Sequence, residues 1–412
     1  MVDELREFKA PYRKIMDDHF PECMEISFAD SGGKRQTLFY RKVSWKIPKD
    51  GELVEKGLRY GENPGQEAAL YKLVNGRLIL GDVQTIHPGK WLMSDVELLQ
   101  SGKHPGKTNI TDADAALGIL RYMPDKPTVA IMKHNNPCGV ARRDALVDAY
   151  LSANEADRIA AFGGTIALNR AVDKATAEAV SERYAEVIVA PDYETGTLDV
   201  LRKKRDLRVM RVTRMDLLQE YDGVMYPEFK SLVDGGIIAQ WPFVPKPRKP
   251  QDLKCVTNRE PTPNEYRDML FGWYVESGVT SNSVLFVKDD TTIAIGTGGQ
   301  DRVGVAEATV AKAYRNYADG LAWNELKKPF TVLTAEESEK YLSITEAAKP
   351  LEHSVYVSDA FFPFKDGALV GINKGASAII QPGGSIRDKE VVDTCNEHGV
   401  AMVFTGQRSF KH

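Results

Sequence analysis

Short apolar runs that alternate with helical patterns leave this chain few possible architectures. Thr128-Val129-Ala130-Ile131 is one such run, and Val187-Ile188-Val189-Ala190, Ser354–Val357, Ala378–Ile380 and Val400–Phe404 are others. Helical spacing occupies Lys174–Tyr184, Thr197–Lys204, Gly367–Gly375 and Asp388–His398. Strands that are apolar on both faces need cover on both faces, so the pattern predicts an α/β fold with helices on either side of its sheets. Ser283–Val287 and Thr292–Ile295, flanking Lys288-Asp289-Asp290-Thr291, read as a hairpin. Pro242, Pro245, Pro247 and Pro250, followed by Pro261 and Pro263, remove backbone donors and restrict the residues before them. Residues 241–263 are therefore expected to cross between two halves without helix or central strand, with Lys246, Arg248 and Lys249 solvated. Leu38–Ile47 is a further candidate strand, and the first fifty residues carry no functional signal. No exact repeat relates the halves.

The chain's 412 residues suffice for two domains or one large composite. Lys+Arg 54 against Asp+Glu 58 leaves no basic field, which argues against a nucleic-acid partner held by bulk electrostatics. No apolar run approaches the roughly 20 residues that span a bilayer, so no membrane partner is expected. The opening MVDELREFKA is too charged for a secretory signal. Cys23, Cys138, Cys255 and Cys395 are scattered without a CxxC pair, which speaks against disulfides and a cysteine zinc site. A cytoplasmic protein is the default expectation.

Chemistry concentrates in a few stretches. Lys133 and His134 follow the Thr128–Ile131 run directly, and a glycine-containing turn comes next, where an open sheet exposes working groups at a strand's carboxyl end. One side chain can take a proton while the other meets developing negative charge. Without context, a solvated loop is the plainer reading. In LRYGENPGQ (58–66), Gly61, Asn63, Pro64 and Gly65 force a turn that holds Arg59 and Tyr60 at its mouth, where they suit a phosphate or carboxamide. A surface turn with a snorkelling arginine is the alternative. Thr111 or Asp112 can cap the Ala-rich helix Ala113–Ile119, leaving Asn109 just outside to address a ligand amide. Ala161-Phe162-Gly163-Gly164 lets backbone approach something flat, or simply packs. Gly296-Thr297-Gly298-Gly299, before a helix starting near Arg302, would favour an anion with its amides. It lacks the spacing of a Walker loop or a GxGxxG site, so ATP and NAD chemistry are poorly supported. Ser358–Asp366 crowds Phe361, Phe362 and Phe364 among aspartates, as core or as a clamp for a heteroaromatic ring. The terminal Thr405–His412 is expected to fray unless it docks into a site. Pro137-Cys138 matches half of a zinc-deaminase motif, but the HxE element and the second cysteine are missing, which excludes zinc hydrolysis.

Taken in order, LRYGENPGQEAALY (58–71), KHNNPCGVA (133–141), AFGGTIALNR (161–170), SNSV with GTGGQDRVG (281–304), SDAFFPFKDG (358–367) and IIQPGGSIRDKEVV (379–392) resemble the transformylase half of a bifunctional purine-synthesis family. That family pairs aminoimidazole carboxamide ribonucleotide (AICAR) transformylase with inosine monophosphate cyclohydrolase. The resemblance implies two subdomains of cytidine-deaminase-like α/β/α fold without zinc, in a homodimer with shared active sites. It implies Lys133, His134 and Asn282 as the catalytic set. Arg59, Tyr60, Asn109, Phe162, Gly163, Arg408 and Phe410 would hold AICAR, and Arg205 would reach the partner's phosphate. Asn282, Arg302, Phe361, Pro363 and Asp366 would surround the formyl group and folate ring of the co-substrate, 10-formyltetrahydrofolate. A structural monovalent cation near Asn282–Ser283 and Asp359 is left open.

The cyclohydrolase half finds no room in the 57 residues before the first motif, so a stand-alone transformylase is expected. The expected division is an extension of unknown role over 1–57, a first subdomain over 58–240, the crossing segment 241–263, and a second subdomain over 264–412. Gly65 stands where the family's motif commonly has histidine. A non-catalytic folate- or nucleotide-binding homologue, or formyl transfer from formate with ATP, are the rival readings.

Overall fold

The computed structural model describes residues 14–49, 51–63, 65–85 and 88–412. Its frame is one twelve-stranded mixed sheet. Numbered along the chain, its strands are β1 (Glu97–Gln100), β2 (Thr128–Lys133), β3 (Asn136–Arg142), β4 (Thr165–Leu168), β5 (Val187–Ala190) and β6 (Arg208–Arg211). They continue as β7 (Lys254–Cys255), β8 (Val284–Lys288), β9 (Thr291–Gly296), β10 (Val355–Ser358), β11 (Ala378–Gln381) and β12 (Ala401–Phe404). The spatial order is β7-β12-β11-β10-β8-β9-β3-β2-β4-β5-β6-β1. The strands predicted from residue 128 onward are present within a residue or two at each end, whereas Leu38–Ile47 is divided at Ser44 between two strands, Arg35–Val43 and Trp45–Lys49, of separate sheets.

The two halves share one topology although no sequence repeat announces it. Each opens on an edge strand (β1 or β7) and a helix: α1 (Lys107–Leu120) in the first half, α6 (Pro263–Glu276) in the second. Each then forms an antiparallel hairpin, β2/β3 or β8/β9, and closes with three parallel strands, β4-β5-β6 or β10-β11-β12. The connecting helices are α2 (Leu146–Ala156), α3 (Arg158–Ala161), α4 (Lys174–Ser181) and α5 (Thr197–Leu201) in the first half. In the second they are α7 (Arg302–Leu326), α8 (Ala335–Ala348), α9 (Lys365–Ile372) and α10 (Asp388–Glu397).

Burial follows the strand period. Ala130, Met132 and Val140 face α1 and α6 in a core common to both halves, whereas Val129, Ile131 and Ala141 face α2 on the opposite side. Val284 and Phe286 face a third core with α7, α9 and α10. Gly139 is glycine by necessity, since a Cβ there would stand 2.0 Å from the Ala153 carbonyl of α2.

Strand pairing also crosses the expected boundary at residue 57: Arg35–Val43 pairs with Leu70–Asn75. The proline segment holds no helix or strand from 241 to 249. A 3-10 turn at Pro250–Asp252 and edge strand β7 follow it. Pro263 then takes the first position of α6, where its missing N–H costs nothing, and Thr262 and Glu265 cap the helix reciprocally.

The halves join where β3 meets β9. Arg142 donates its N–H to the Asp290 carbonyl (3.0 Å). The buried Thr292 hydroxyl accepts from the Val140 N–H (3.0 Å) and donates to the Val140 carbonyl (3.3 Å). Thr292→Val keeps the shape but strands the Val140 amide, so it is expected to cost about 1–3 kcal/mol. Urea unfolding of the variant checks this, and an unchanged midpoint would remove Thr292 from the seam.

Candidate active site

The β2/β3 hairpin turns through two residues only, His134 and Asn135, with φ of 56° and 60°. Two consecutive positive φ values define the tight turn that matches strand twist, and Asn and His tolerate that region better than most side chains. The glycine-containing turn expected here is therefore absent, and Gly139 lies inside β3. The turn's backbone is clamped from below. Asp112, in α1, accepts the Asn135 N–H (2.6 Å), and burial raises its carboxyl above the usual range against the pull of the Asn135 and His134 amides. Lys133 donates to the Phe162 carbonyl (2.8 Å). The His134 ring is exposed and has no hydrogen-bond partner among the described residues.

Helix α1 starts six residues earlier than the Ala-rich stretch implied. Thr111 and Asp112 are thus interior rather than capping residues. Asn109 does the capping from inside the first turn, accepting the Gly106 N–H (3.0 Å) and donating to Glu186 (3.2 Å). Glu186 also receives Arg208 (3.2 Å), a fully buried guanidinium that donates to the His104 carbonyl as well. Buried Arg59 lies against Tyr60 (4.4 Å), with Glu186 and Tyr184 in its field. The Gly61–Gln66 turn forms as expected, with Gly65 at φ 92°; Pro64 lies outside the described residues. Phe162 is 62% exposed and leans on Tyr184 (5.0 Å), and Gly163 faces the same ring. Gly164, by contrast, is a packing glycine against the Met132 carbonyl. Arg205 is exposed beside Tyr184, Lys203 and Lys204 in a cavity of about 460 Å³.

The second half reaches the same end of the sheet. The Asn136 side chain accepts the Thr280 N–H (2.8 Å), placing Thr280–Asn282 next to the turn. The glycine loop is not an anion nest. Gly298 and Gly299 donate to the Thr280 and Asn282 carbonyls, and Gly304 donates to Asp301, the cap of α7. The loop braces Asn282 instead. Arg302 is buried and held through both terminal nitrogens: it grips the Asn282 side-chain oxygen (2.8 Å), the Ser283 carbonyl (3.0 Å), Ser358 and Asp359. That fixes the Asn282 carboxamide with its nitrogen unpartnered among the described residues. Of the three phenylalanines, Phe362 is core, while Phe361 and Phe364 are exposed beside half-buried Pro363 and exposed Asp366.

The terminal segment docks rather than frays. The Lys411 carbonyl accepts the Ser281 N–H (2.9 Å), the Lys411 N–H donates to the Ser281 hydroxyl (3.1 Å), and the ammonium donates to the Asn135 (3.2 Å) and Gly278 (2.8 Å) carbonyls. Arg408 lies over Phe410 (4.2 Å) at the surface. Glu186, Arg208, His104 and Lys411 escaped the sequence reading, because each gains meaning only from a partner distant in the chain.

One end of the sheet thus carries the carboxyl end of β2, the amino ends of β4–β6 and the carboxyl ends of β10–β12. The strand-end rule holds for Lys133 but not for the parallel strands beside it. All four cysteines are unpaired. Among the described residues, no cluster of three or more histidine, cysteine or acidic side chains could hold a metal, and no helix is long and apolar enough to cross a membrane.

Glu276, at the end of α6, is fully buried and hydrogen-bonded by the Ser283 hydroxyl. Burial and the nearby Asp359 carboxylate push its carboxyl well above the usual range, against the pull of Ser283 and Arg302. A raised folded pKa means that its contribution to stability is complete below the unfolded value of about 4.3 and fades as pH climbs towards the folded value. Glu276→Gln removes this titration. The variant is expected to gain stability relative to wild type between pH 5 and pH 8 in urea unfolding. A difference flat over that range would mean that Glu276 ionises normally.

Comparison with known proteins identifies the family. Residues 34–312 match the family described as the AICARFT/IMPCHase bienzyme, and the chain belongs to that family. It is 38% identical over 362 residues to the bifunctional purine biosynthesis protein PurH of Chlorobaculum parvum, covering 87% of this chain and 59% of that protein. The PurH of Aquifex aeolicus is 37% identical over 403 residues, 98% of this chain and 65% of the relative. That of Rhizobium johnstonii is 39% identical over 369 residues, 88% and 60% respectively. The chain therefore spans about six tenths of the length of the curated relatives it matches. The Aquifex match reaches into the first 57 residues, where no family motif is legible.

Proposed function

We propose that this chain transfers a formyl group from 10-formyltetrahydrofolate to the amine of AICAR, giving formyl-AICAR and tetrahydrofolate. The observation that carries the reading is a Lys-His pair on a rigid, clamped turn beside a carboxamide whose oxygen is already held. The AICAR amine is a poor nucleophile, because its lone pair is drawn into a ring that bears a carboxamide. It must lose a proton as it attacks the formyl carbon. The unpartnered His134 ring is the base, with an effect of about 10²–10⁴-fold. Attack turns the formyl oxygen into an oxyanion. Lys133 keeps two N–H donors after its bond to Phe162, and Asn282 offers its free amide nitrogen. A well-placed donor of this kind contributes about 3–4 kcal/mol. The folate nitrogen then leaves and His134 returns the proton to it. This reading needs neither a covalent intermediate nor a metal.

Arg59, Tyr60, Asn109, Phe162, Gly163, Arg408 and Phe410 would hold AICAR, with Glu186 and Arg208 behind them. Arg205 would reach the substrate phosphate of a partner copy in a homodimer. Phe361, Pro363 and Asp366 would line the folate side. Arg302 would act as a positioning residue, since both its terminal nitrogens are engaged with Asn282, Ser283, Ser358 and Asp359. The duplicated topology supports two cytidine-deaminase-like units, and the protein would work in the cytoplasm. All these residues bear on formyl transfer; none is assigned to ring closure.

Both His134→Ala and Lys133→Ala are expected to bind AICAR in calorimetry as the wild type does, while kcat falls at least a hundredfold. The assay follows tetrahydrofolate release by absorbance. A near-normal kcat in either variant would overturn its assigned role. Turnover that demands formate and ATP would replace the folate donor.

A further inference from the structure

A second cleft lies at the far end of the sheet. Strand β3 begins at the catalytic turn and ends at Arg142, roughly 20 Å away at about 3.3 Å per residue. There a cavity of about 530 Å³ opens between the segment after α1, which carries Arg121 and Tyr122, and α6, which carries Arg267 and Tyr274. Arg248, from the proline segment, closes it. The tyrosine rings stack at 5.3 Å, and Arg248 lies over both, 5.1 Å and 6.0 Å from their centres. This arginine is not solvated as its neighbourhood in the sequence suggested.

Four arginines, Arg121, Arg142, Arg248 and Arg267, line the cavity against two carboxylates, Asp125 and Asp222. Arg121 Nε, Arg142 Nε, Arg248 Nη1 and the Tyr122 hydroxyl are buried without a hydrogen-bond partner among the described residues. Tyr122 itself is only 8% exposed. Burial lifts the Tyr122 and Tyr274 phenols, so both stay protonated; the Tyr274 hydroxyl donates to the Arg248 carbonyl (3.4 Å), which leaves Tyr122 as the unengaged one. Arg142 is partly balanced by Asp290 (2.7 Å) and Arg248 by Asp222 (2.7 Å), whereas Arg121 makes no ion pair among the described residues. A buried donor left unpaired costs about 1–3 kcal/mol. Four such donors, brought to one cavity by separate elements, call for a shared acceptor.

We propose that this cleft is a binding site for a phosphate group, free or borne by a small metabolite, separate from the catalytic turn. A tetrahedral phosphate accepts from several directions at once, and guanidinium forks match its oxygens. A planar carboxylate fits donors arriving from several elements less well.

Calorimetric titration of the full chain with inorganic phosphate, in chloride buffer, tests this. Wild type is expected to bind two equivalents, one here and one near Arg59. Arg248→Gln should lose the first and keep the second, and Arg59→Gln should do the reverse. Tyr122→Phe, which removes a single hydroxyl, should weaken the first about tenfold. Titration curves for Arg248→Gln and Tyr122→Phe that both match wild type would overturn the proposal, as would malonate binding as tightly as phosphate. A wild-type curve for Arg59→Gln would count against the substrate assignment alone and leave this site standing.

Discussion

At the middle of one sheet, the two halves of this molecule meet through a threonine hydroxyl and a backbone amide. Thr292 bonds both polar groups of Val140, and Arg142 donates to the Asp290 carbonyl, where β3 and β9 run together. The arrangement of groups around Lys133 and His134 depends on that alignment. It sets Asn136 against Thr280, and so brings a turn from the first half beside a carboxamide from the second. Apolar cover then locks the arrangement, since α1 and α6 share one core across the join.

Chemistry at that end rests on groups whose freedom has been removed by their neighbours. Asp112 holds the turn that presents His134, and Lys411 ties the Asn135 carbonyl of the same turn to Gly278. Arg302 and the glycine loop hold Asn282 from two sides. Of the side chains that would meet substrate, His134, Phe162 and Phe361 stand exposed, whereas Arg59 and Asn109 are buried and held. The division of labour is physical: buried charges and amides fix the backbone, and exposed groups remain available for reaction.

Much of this was legible in the sequence, and the failures have identifiable causes. Apolar runs located the strands because those strands are buried on both faces, and the 283–295 hairpin followed from its polar centre. The start of α1 was misplaced because Lys107–Asn109 has no apolar period, while the capping signal at Thr111-Asp112 was a decoy. Glycines at 296–299 suggest an anion site, yet the amides of Gly298 and Gly299 are consumed by the bend at 280–282, which no local pattern reveals. Glu186 and Arg208 look like ordinary strand-end charges until the fold sets Asn109 beside one and His104 beside the other. The prolines around Arg248 predict a solvated side chain, but proline density says nothing about what a neighbouring side chain covers.

The duplicated topology has a consequence of its own. In the second half, Asp268 accepts the N–H groups of Asp289 (2.8 Å) and Asp290 (2.9 Å), and those two residues turn the β8/β9 hairpin at φ of 51° and 54°. Asp268 stands at the sixth residue of α6, as Asp112 stands at the sixth of α1, and Lys288 precedes its turn as Lys133 precedes His134. The carboxylate clamp and the left-handed pair are thus what the architecture demands of any residue placed there. Histidine is not among those demands, because aspartate serves the twin. The molecule carries its own control: subtracting one hairpin from the other leaves the imidazole as the part that folding did not ask for.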